Sequence, residues 1–133
     1  GDVYKRQVPV GAVVVMEIHI IGSGRITVIA DNDVSSHAEI NALRSASKEL
    51  NNFRLNGCSI YVTLEPCHMC AKAIVDARLD MLVFAAKEPK TGSICSIDNF
   101  LKNKALNHSV KYKFGLSEDI SAKLLKDFFK QKR

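Results

Sequence analysis

The spacing of apolar and polar positions predicts strands and helices that alternate along the chain. Residues 8–16 form an apolar run rich in β-branched side chains, which is typical of a buried strand. Residues 17–21 continue this apolar run into Gly22-Ser23-Gly24, and we interpret the pair as a hairpin. The other predicted elements are helices at 36–50, 67–78 and from Ser117 onward, strands at 59–64, 81–85 and 110–114, and a short strand followed by a loop within 25–34.

Strands that alternate with helices favour an α/β sandwich built around one sheet, and the opening hairpin argues against a purely parallel sheet. The 133 residues, 47% hydrophobic and 25% charged, match one ordinary globular domain. No apolar stretch approaches the ~18 residues of a membrane span, and no secretory signal pattern is present. We therefore expect no membrane association.

Charge and cysteine content narrow the partners and the compartment. The formal net charge of +5 favours an anionic partner without establishing one. The four cysteines are not needed as a disulfide framework in a chain of this size and hydrophobicity. Two of them have a spacing suited to metal or redox chemistry, so we expect a reducing, cytoplasmic compartment.

The first seven residues differ from the rest of the chain. They show no periodicity, and residues 2–7 can be back-translated into a sequence that resembles a transposon-end adapter of sequencing libraries. We therefore expect residues 1–7 to be a non-native scar and residues 8–133 to form a single domain.

Two short motifs at predicted helix starts carry candidate metal chemistry. They are His37-Ala38-Glu39 and Pro66-Cys67-His68-Met69-Cys70. Cys67 and Cys70 are three residues apart and face the same way in a first helical turn, where the helix N-terminus favours thiolates. With His37 they would give Zn²⁺ one imidazole and two thiolates, which leaves a fourth tetrahedral position for water.

Glu39 is placed to move protons beside such a metal. It lies two residues from His37, so its carboxylate could carry a proton from the water to a ring nitrogen and a leaving amine. The combination H-x-E with P-C-x-x-C is the signature of zinc nucleobase deaminases. Two other interpretations are open: Glu39 could form a capping box with Ser36, and the Cys-x-x-Cys pair could be a redox or structural zinc site.

A wider set of segments carries a family resemblance: 8–13, 37–40, 61–70 and 90–92, with Asn107-His108 and Phe128-Phe129. Through these segments the sequence resembles the bacterial tRNA-specific adenosine deaminases from residue 8 almost to the C-terminus. The resemblance implies a three-layer α/β/α sandwich of the cytidine-deaminase type with a mixed five-stranded sheet, in a homodimer. It implies conversion of the wobble adenosine to inosine in a tRNA anticodon stem-loop, where the base is already unpaired. The family has a helix before its first strand, and we expect this chain to lack that helix.

The resemblance also implies roles for individual residues. His37, Cys67 and Cys70 would bind one zinc per subunit, and Glu39 would shuttle protons. The other implied residues are Val8, Pro9, Ala38 and Leu64 around the base, and Lys90, Thr91, Asn107 and His108 as RNA contacts.

Ile26 departs from the family pattern. An ungapped alignment back from His37 places it where the family has an asparagine that bonds the adenine. Isoleucine can neither donate nor accept a hydrogen bond, so a polar edge of the base would be unpaired at a cost of ~1–3 kcal/mol. This keeps two alternatives open: a zinc deaminase of free guanine, cytosine or cytidine, and an impaired partner subunit that only binds RNA.

Overall fold

A computed structural model describes residues 11–115 of the chain, which form one mixed sheet with helices. The predicted strand residues 8–10 and the predicted helix from Ser117 lie outside the described residues. The strands are β1 (Gly11–Met16), β2 (His19–Arg25), β3 (Cys58–Leu64), β4 (Met81–Ala86) and β5 (Lys111–Phe114); the helices are α1 (Val28–Asp31), α2 (Ala38–Leu50) and α3 (His68–Asp76), with a 3₁₀ turn at Phe100–Lys102.

The five strands lie in the order β2-β1-β3-β4-β5. β1 is antiparallel to both β2 and β3, whereas β3, β4 and β5 are parallel. This arrangement confirms the expected mixed five-stranded sheet. Since parallel strands end at the same edge, the segments after β3 and β4 meet there, as they do at the ligand sites of many α/β proteins.

The opening hairpin is confirmed, and the next segment corrects a prediction. Glu17 and Ile18 form the turn, with Glu17 at a φ of 58°. The short strand and loop predicted for 25–34 are wrong in part, because Val28–Asp31 form one turn of helix. Local hydrogen bonds explain it: the Asp31 N–H donates to the Thr27 carbonyl at 2.9 Å, and the Thr27 hydroxyl donates to the Asp31 carboxylate at 2.6 Å.

Gly22 and Gly24 lie inside β2 because α2 packs directly on them. A Cβ at Gly24 would lie closer than 3.0 Å to the Ala38 carbonyl oxygen and the Ala42 amide nitrogen. A Cβ at Gly22 would lie 2.5 Å from the amide nitrogen of Ala46. The two glycines therefore allow the backbone of β2 to approach the backbone of α2 closely.

We expect Gly24→Ala to destabilise the domain by about 1–3 kcal/mol, because the added methyl group forces α2 away from β2. Chemical denaturation, compared with the parent chain, measures this loss. Ser23→Ala is the matched control, since its side chain lies on the other face of the same strand. Equal losses for the two variants would contradict the proposed close packing.

Helices α2 and α3 pack on the same face of the sheet and enclose the main core. The other face carries a second buried cluster formed by Val13, Val15, Tyr61 and Val83. The main core includes Ala42 and Ala46 of α2, Ile74 and Val75 of α3, and Val14, Ile60, Leu82 and Phe84 of the sheet.

No helix within residues 11–115 is long and apolar enough to cross a membrane.

Candidate active site

The N-termini of α2 and α3 bring together three side chains of types that can bind a metal, at the end of β3. His37 is the N-cap of α2, Cys67 is the N-cap of α3, and Cys70 lies in the first turn of α3. The Nδ1 atom of His37 lies 3.5 Å from Sγ of Cys70 and 3.7 Å from Sγ of Cys67. Within residues 11–115 these three form the one cluster of three or more histidine, cysteine or acidic residues suited to a metal.

The spacing of these three atoms fits zinc. Zn–S bonds of ~2.3 Å and Zn–N bonds of ~2.0 Å at tetrahedral angles place neighbouring ligand atoms roughly 3.5–3.8 Å apart. The two nitrogen–sulfur distances, 3.5 and 3.7 Å, fall in this range. One imidazole and two thiols are also the donor set that zinc prefers, and they leave one tetrahedral position open.

The pKa values of the two thiols shift in opposite directions. A hydrogen bond from the Cys70 thiol lowers the pKa of Cys67 to about 5, with further help from the amides of Cys70 and Met69 and from His37. Donating that hydrogen bond, together with burial, raises the pKa of Cys70. A metal that takes both sulfurs as thiolates must therefore displace the Cys70 proton.

Glu39 is buried beside the cluster, and burial raises the pKa of its carboxyl group. The N-cap of α2 is His37, and no side chain caps that helix. The capping-box interpretation, in which Glu39 pairs with Ser36, is therefore wrong. Glu39 instead lines a cavity next to the cluster.

That cavity has a volume of about 170 Å³. Sites for drug-sized ligands commonly measure ~300–1,000 Å³, so this cavity suits a single ring system. Its walls combine apolar and carboxylate side chains. The lining residues are Ile26, Val28, His37, Glu39, Leu64, Glu65, Cys67, Glu88 and Thr91.

The structure places some, but not all, of the residues expected around a base at this cavity. Ile26, Leu64 and Thr91 line the cavity. Ala38 is buried in the main core and is not among the described residues that line the cavity. Lys90 is exposed next to Thr91, whereas Val8 and Pro9 lie outside the described residues.

Asn107 and His108 lie at the opposite end of the parallel strands from the cavity. They precede β5, whose first residue pairs with the first residue of β4, whereas the cavity follows the last residues of β3 and β4. Nε2 of His108 is 2.7 Å from the Leu79 carbonyl oxygen, and Arg78 donates to the Asn107 carbonyl at 2.9 Å. Both line a separate groove of about 1,040 Å³ that also contains Lys102, Lys104, Lys111 and Lys113.

Three cavity residues were not assigned to the site from the sequence: Val28, Glu65 and Glu88. Glu88 follows β4 at the carboxyl edge of the parallel strands, and that position is a signal that could have identified it. His68 is not part of the cluster, and its Nε2 lies 2.7 Å from Oδ2 of Asp98.

Glu65 is the most strongly hydrogen-bonded carboxylate in the site. Burial acts to raise its pKa, but hydrogen bonds from the Ser96 hydroxyl and from the amides of Cys95, Ser96 and Glu88 outweigh that effect and lower the pKa to about 2. The side chain is therefore a carboxylate at neutral pH.

Comparison with known proteins gives consistent matches over nearly the whole chain. The MafB19-like deaminase family model matches residues 2–133. A tRNA-specific adenosine deaminase of Aquifex aeolicus is 42% identical over 129 residues, covering 97% of this chain and 85% of that protein. The one from Bacillus subtilis is 36% identical, covering 97% and 80%.

Solved structures agree with the sequence matches. A protein studied among tRNA:A34 deaminases, for A-to-I editing at the wobble position, superposes with a TM-score of 0.77 at 38% identity, covering 84% of this chain and 86% of that one. Guanine deaminase from Bacillus subtilis superposes with a TM-score of 0.59 at 27% identity, covering 93% and 80%.

Proposed function

Since the chain belongs to the MafB19-like deaminase family, we propose that it hydrolytically deaminates the wobble adenosine of a tRNA anticodon to inosine. The observation that carries this proposal is the position of Glu39, buried beside the His37, Cys67 and Cys70 cluster at a cavity the size of one ring system. A purely structural metal site has no need of such a carboxylate.

We propose that His37, Cys67 and Cys70 hold one zinc ion per subunit. Zinc, when bound there, activates water as a nucleophile at neutral pH. The Glu39 carboxylate would accept one proton from the attacking water and deliver it to the ring nitrogen next to the reacting carbon, where it stays in the product. It would then carry the second proton, from the newly formed hydroxyl group, to the amine, which leaves as ammonia when the C–N bond breaks. Adenosine and water thereby give inosine and ammonia, with no other reactant.

The cavity walls would offer the base both apolar and polar contacts. Ile26, Val28 and Leu64 offer apolar contact to its faces, whereas Thr91 and Glu88 offer polar groups. An anticodon loop presents its bases unpaired, which lets the reacting base enter a cavity that a duplex could not reach.

The remaining implied contacts stay part of the proposal. Val8 and Pro9 would complete the base pocket, and Lys90 would meet the RNA at the exposed loop beside Thr91. Asn107 and His108 would reach RNA only through the lysine-containing groove at the opposite end of the parallel strands.

We also propose a homodimer that acts in the cytoplasm. A groove of about 550 Å³ between α2 and α3 is lined by apolar side chains that include Ile40, Leu43 and Phe53, the last of which is 73% exposed. A second copy of the chain would cover this surface, and light scattering during gel filtration measures the mass. A reducing compartment keeps Cys67 and Cys70 available as ligands.

The direct test is incubation of the zinc-loaded chain with an anticodon stem-loop that carries adenosine at the wobble position. Inosine detected by mass spectrometry supports the proposal. Zinc bound at full occupancy with no inosine, and with no product from free nucleosides, would instead support an RNA-binding partner subunit.

Ile26 favours a second candidate function, the deamination of a free nucleobase or nucleoside. This apolar side chain lines the cavity, at the position where the resemblance to the tRNA deaminases implies an asparagine. The structural similarity to a guanine deaminase supports the same candidate. Product from guanine, cytosine or cytidine, without inosine in the stem-loop, would favour it.

We expect Ile26→Asn to raise kcat/KM for the stem-loop by about tenfold, because asparagine supplies the hydrogen bond that isoleucine cannot make. Inosine formation at several substrate concentrations measures the change. Ile29→Asn is the matched control, since Ile29 is 91% exposed in the same segment and does not line the cavity. A gain in both variants, or in neither, would contradict a role for position 26 in base recognition.

A further inference from the structure

The Glu65 carboxylate is enclosed by a loop that comes from a distant part of the chain. Its Oε2 atom accepts hydrogen bonds from the amides of Ile94, Cys95 and Ser96 at 2.9, 2.7 and 3.0 Å. Its Oε1 atom accepts from the Glu88 amide at 3.2 Å and from the Ser96 hydroxyl. The side chain is only 3% exposed, so one buried carboxylate receives five donors from residues 88–96.

Three consecutive amides on one oxygen form an anion-binding nest, which here surrounds a side chain of the protein itself. The loop fits closely around that side chain: a Cβ at Gly92 would lie 2.5 Å from Oε1 of Glu65. A buried N–H group that loses its charged acceptor destabilises the conformation that buries it, because its hydrogen bond is not replaced. The conformation of the loop therefore depends on the carboxylate.

Glu65 connects two walls of the base cavity. Along the chain it stands two residues before Cys67, and the Pro66 carbonyl between them accepts the Ser93 amide at 2.9 Å. Across the cavity, the loop that it holds carries Glu88 and Thr91. The relative position of the cluster and the polar cavity wall is thus set at this side chain.

We propose that Glu65 is a positioning residue for the deamination, which holds the 88–96 loop so that Glu88 and Thr91 face a base bound beside Glu39. The inference rests on the proposed function for its substrate, but its structural part concerns the loop alone. Glu65 acts through the loop, and the proton transfers stay with Glu39.

Glu65→Gln separates this role from general support of the fold. The glutamine oxygen can still accept the three amides at the Oε2 position, and its NH₂ group can donate to the Ser96 hydroxyl. The same NH₂ group then faces the Glu88 amide, donor against donor. The substitution thus releases the cavity wall at Glu88 and leaves the segment next to Cys67 in place.

The expected result is a KM for the stem-loop about tenfold higher, with kcat within about threefold of the parent and with unchanged zinc content by elemental analysis. Amide hydrogen exchange at the Glu88 end of the 88–96 segment should become about tenfold faster. Glu49→Gln, an exposed carboxylate on α2, is the matched control and should change none of these quantities.

Glu65→Ala with added formate provides the second arm. The vacated nest should accept this small carboxylate, so formate should restore slow exchange and lower KM, whereas chloride at the same ionic strength should not. The inference is overturned if Glu65→Gln leaves exchange and KM unchanged, or if kcat and zinc fall together. Absence of inosine with the parent chain would count against the proposed function, and hydrogen exchange would still decide whether Glu65 holds the loop.

Discussion

Glu39→Gln is expected to slow inosine formation by about 10³-fold while zinc binding stays equimolar. Glutamine keeps the size of the side chain but cannot accept and return a proton, and general acid–base catalysis commonly contributes ~10²–10⁴-fold. Glu39 is not among the three ligand residues, so the metal should remain. Single-turnover inosine formation and elemental analysis of the same sample measure the two quantities.

Glu49→Gln, on the same helix but exposed, controls for the loss of a charge. Its rate should match that of the parent. Glu39→Gln with near-parental turnover would show that another group moves the proton. Loss of zinc along with the rate would show that Glu39 supports the metal site itself.

Cys70→Ala is expected to weaken zinc binding by about 10³-fold and to remove the stabilisation that zinc confers. Cys70 is one of the three proposed protein ligands, and the binding free energy of such sites is coupled to folding. The variant purified without added metal should contain little zinc, and its thermal midpoint should not change when a chelator is added. The midpoint of the parent should fall under the same treatment.

Cys95→Ser is the matched control for thiol removal, because Cys95 is exposed and its thiol takes no part in the cluster. It should retain one zinc per chain and respond to chelator as the parent does. Stoichiometric zinc in Cys70→Ala would contradict the ligand set of His37, Cys67 and Cys70.

The cluster could be predicted from the sequence because its geometry is local. Two cysteines three apart at a helix start converge by helical spacing alone, and only the approach of His37 requires the fold. The same residues also match the sequence pattern of a capping box, which the structure does not contain. The capping-box interpretation is wrong because α2 begins one residue later than such a box requires, with His37 as the N-cap.

Features that depend on distant contacts could not be predicted in the same way. The donors around Glu65 belong to residues 88–96, and no pattern near position 65 reveals them. The separation of Asn107 and His108 from the cavity follows from the parallel direction of β5, which their local sequence does not encode. The helical turn at Val28–Asp31 is stabilised by side-chain hydrogen bonds rather than by an apolar stripe.

The direct contact between the backbones of α2 and β2 bears on how this protein could be re-engineered. At Gly22 and Gly24 there is no side chain between strand and helix whose size could be varied. The α2 helix, which has His37 as its N-cap and carries Glu39, thus packs directly on main-chain atoms. Libraries that vary core side chains such as Ile60 or Leu82 keep this backbone contact, whereas any residue other than glycine at 22 or 24 would displace the proposed ligand His37 and the proposed proton shuttle Glu39 together.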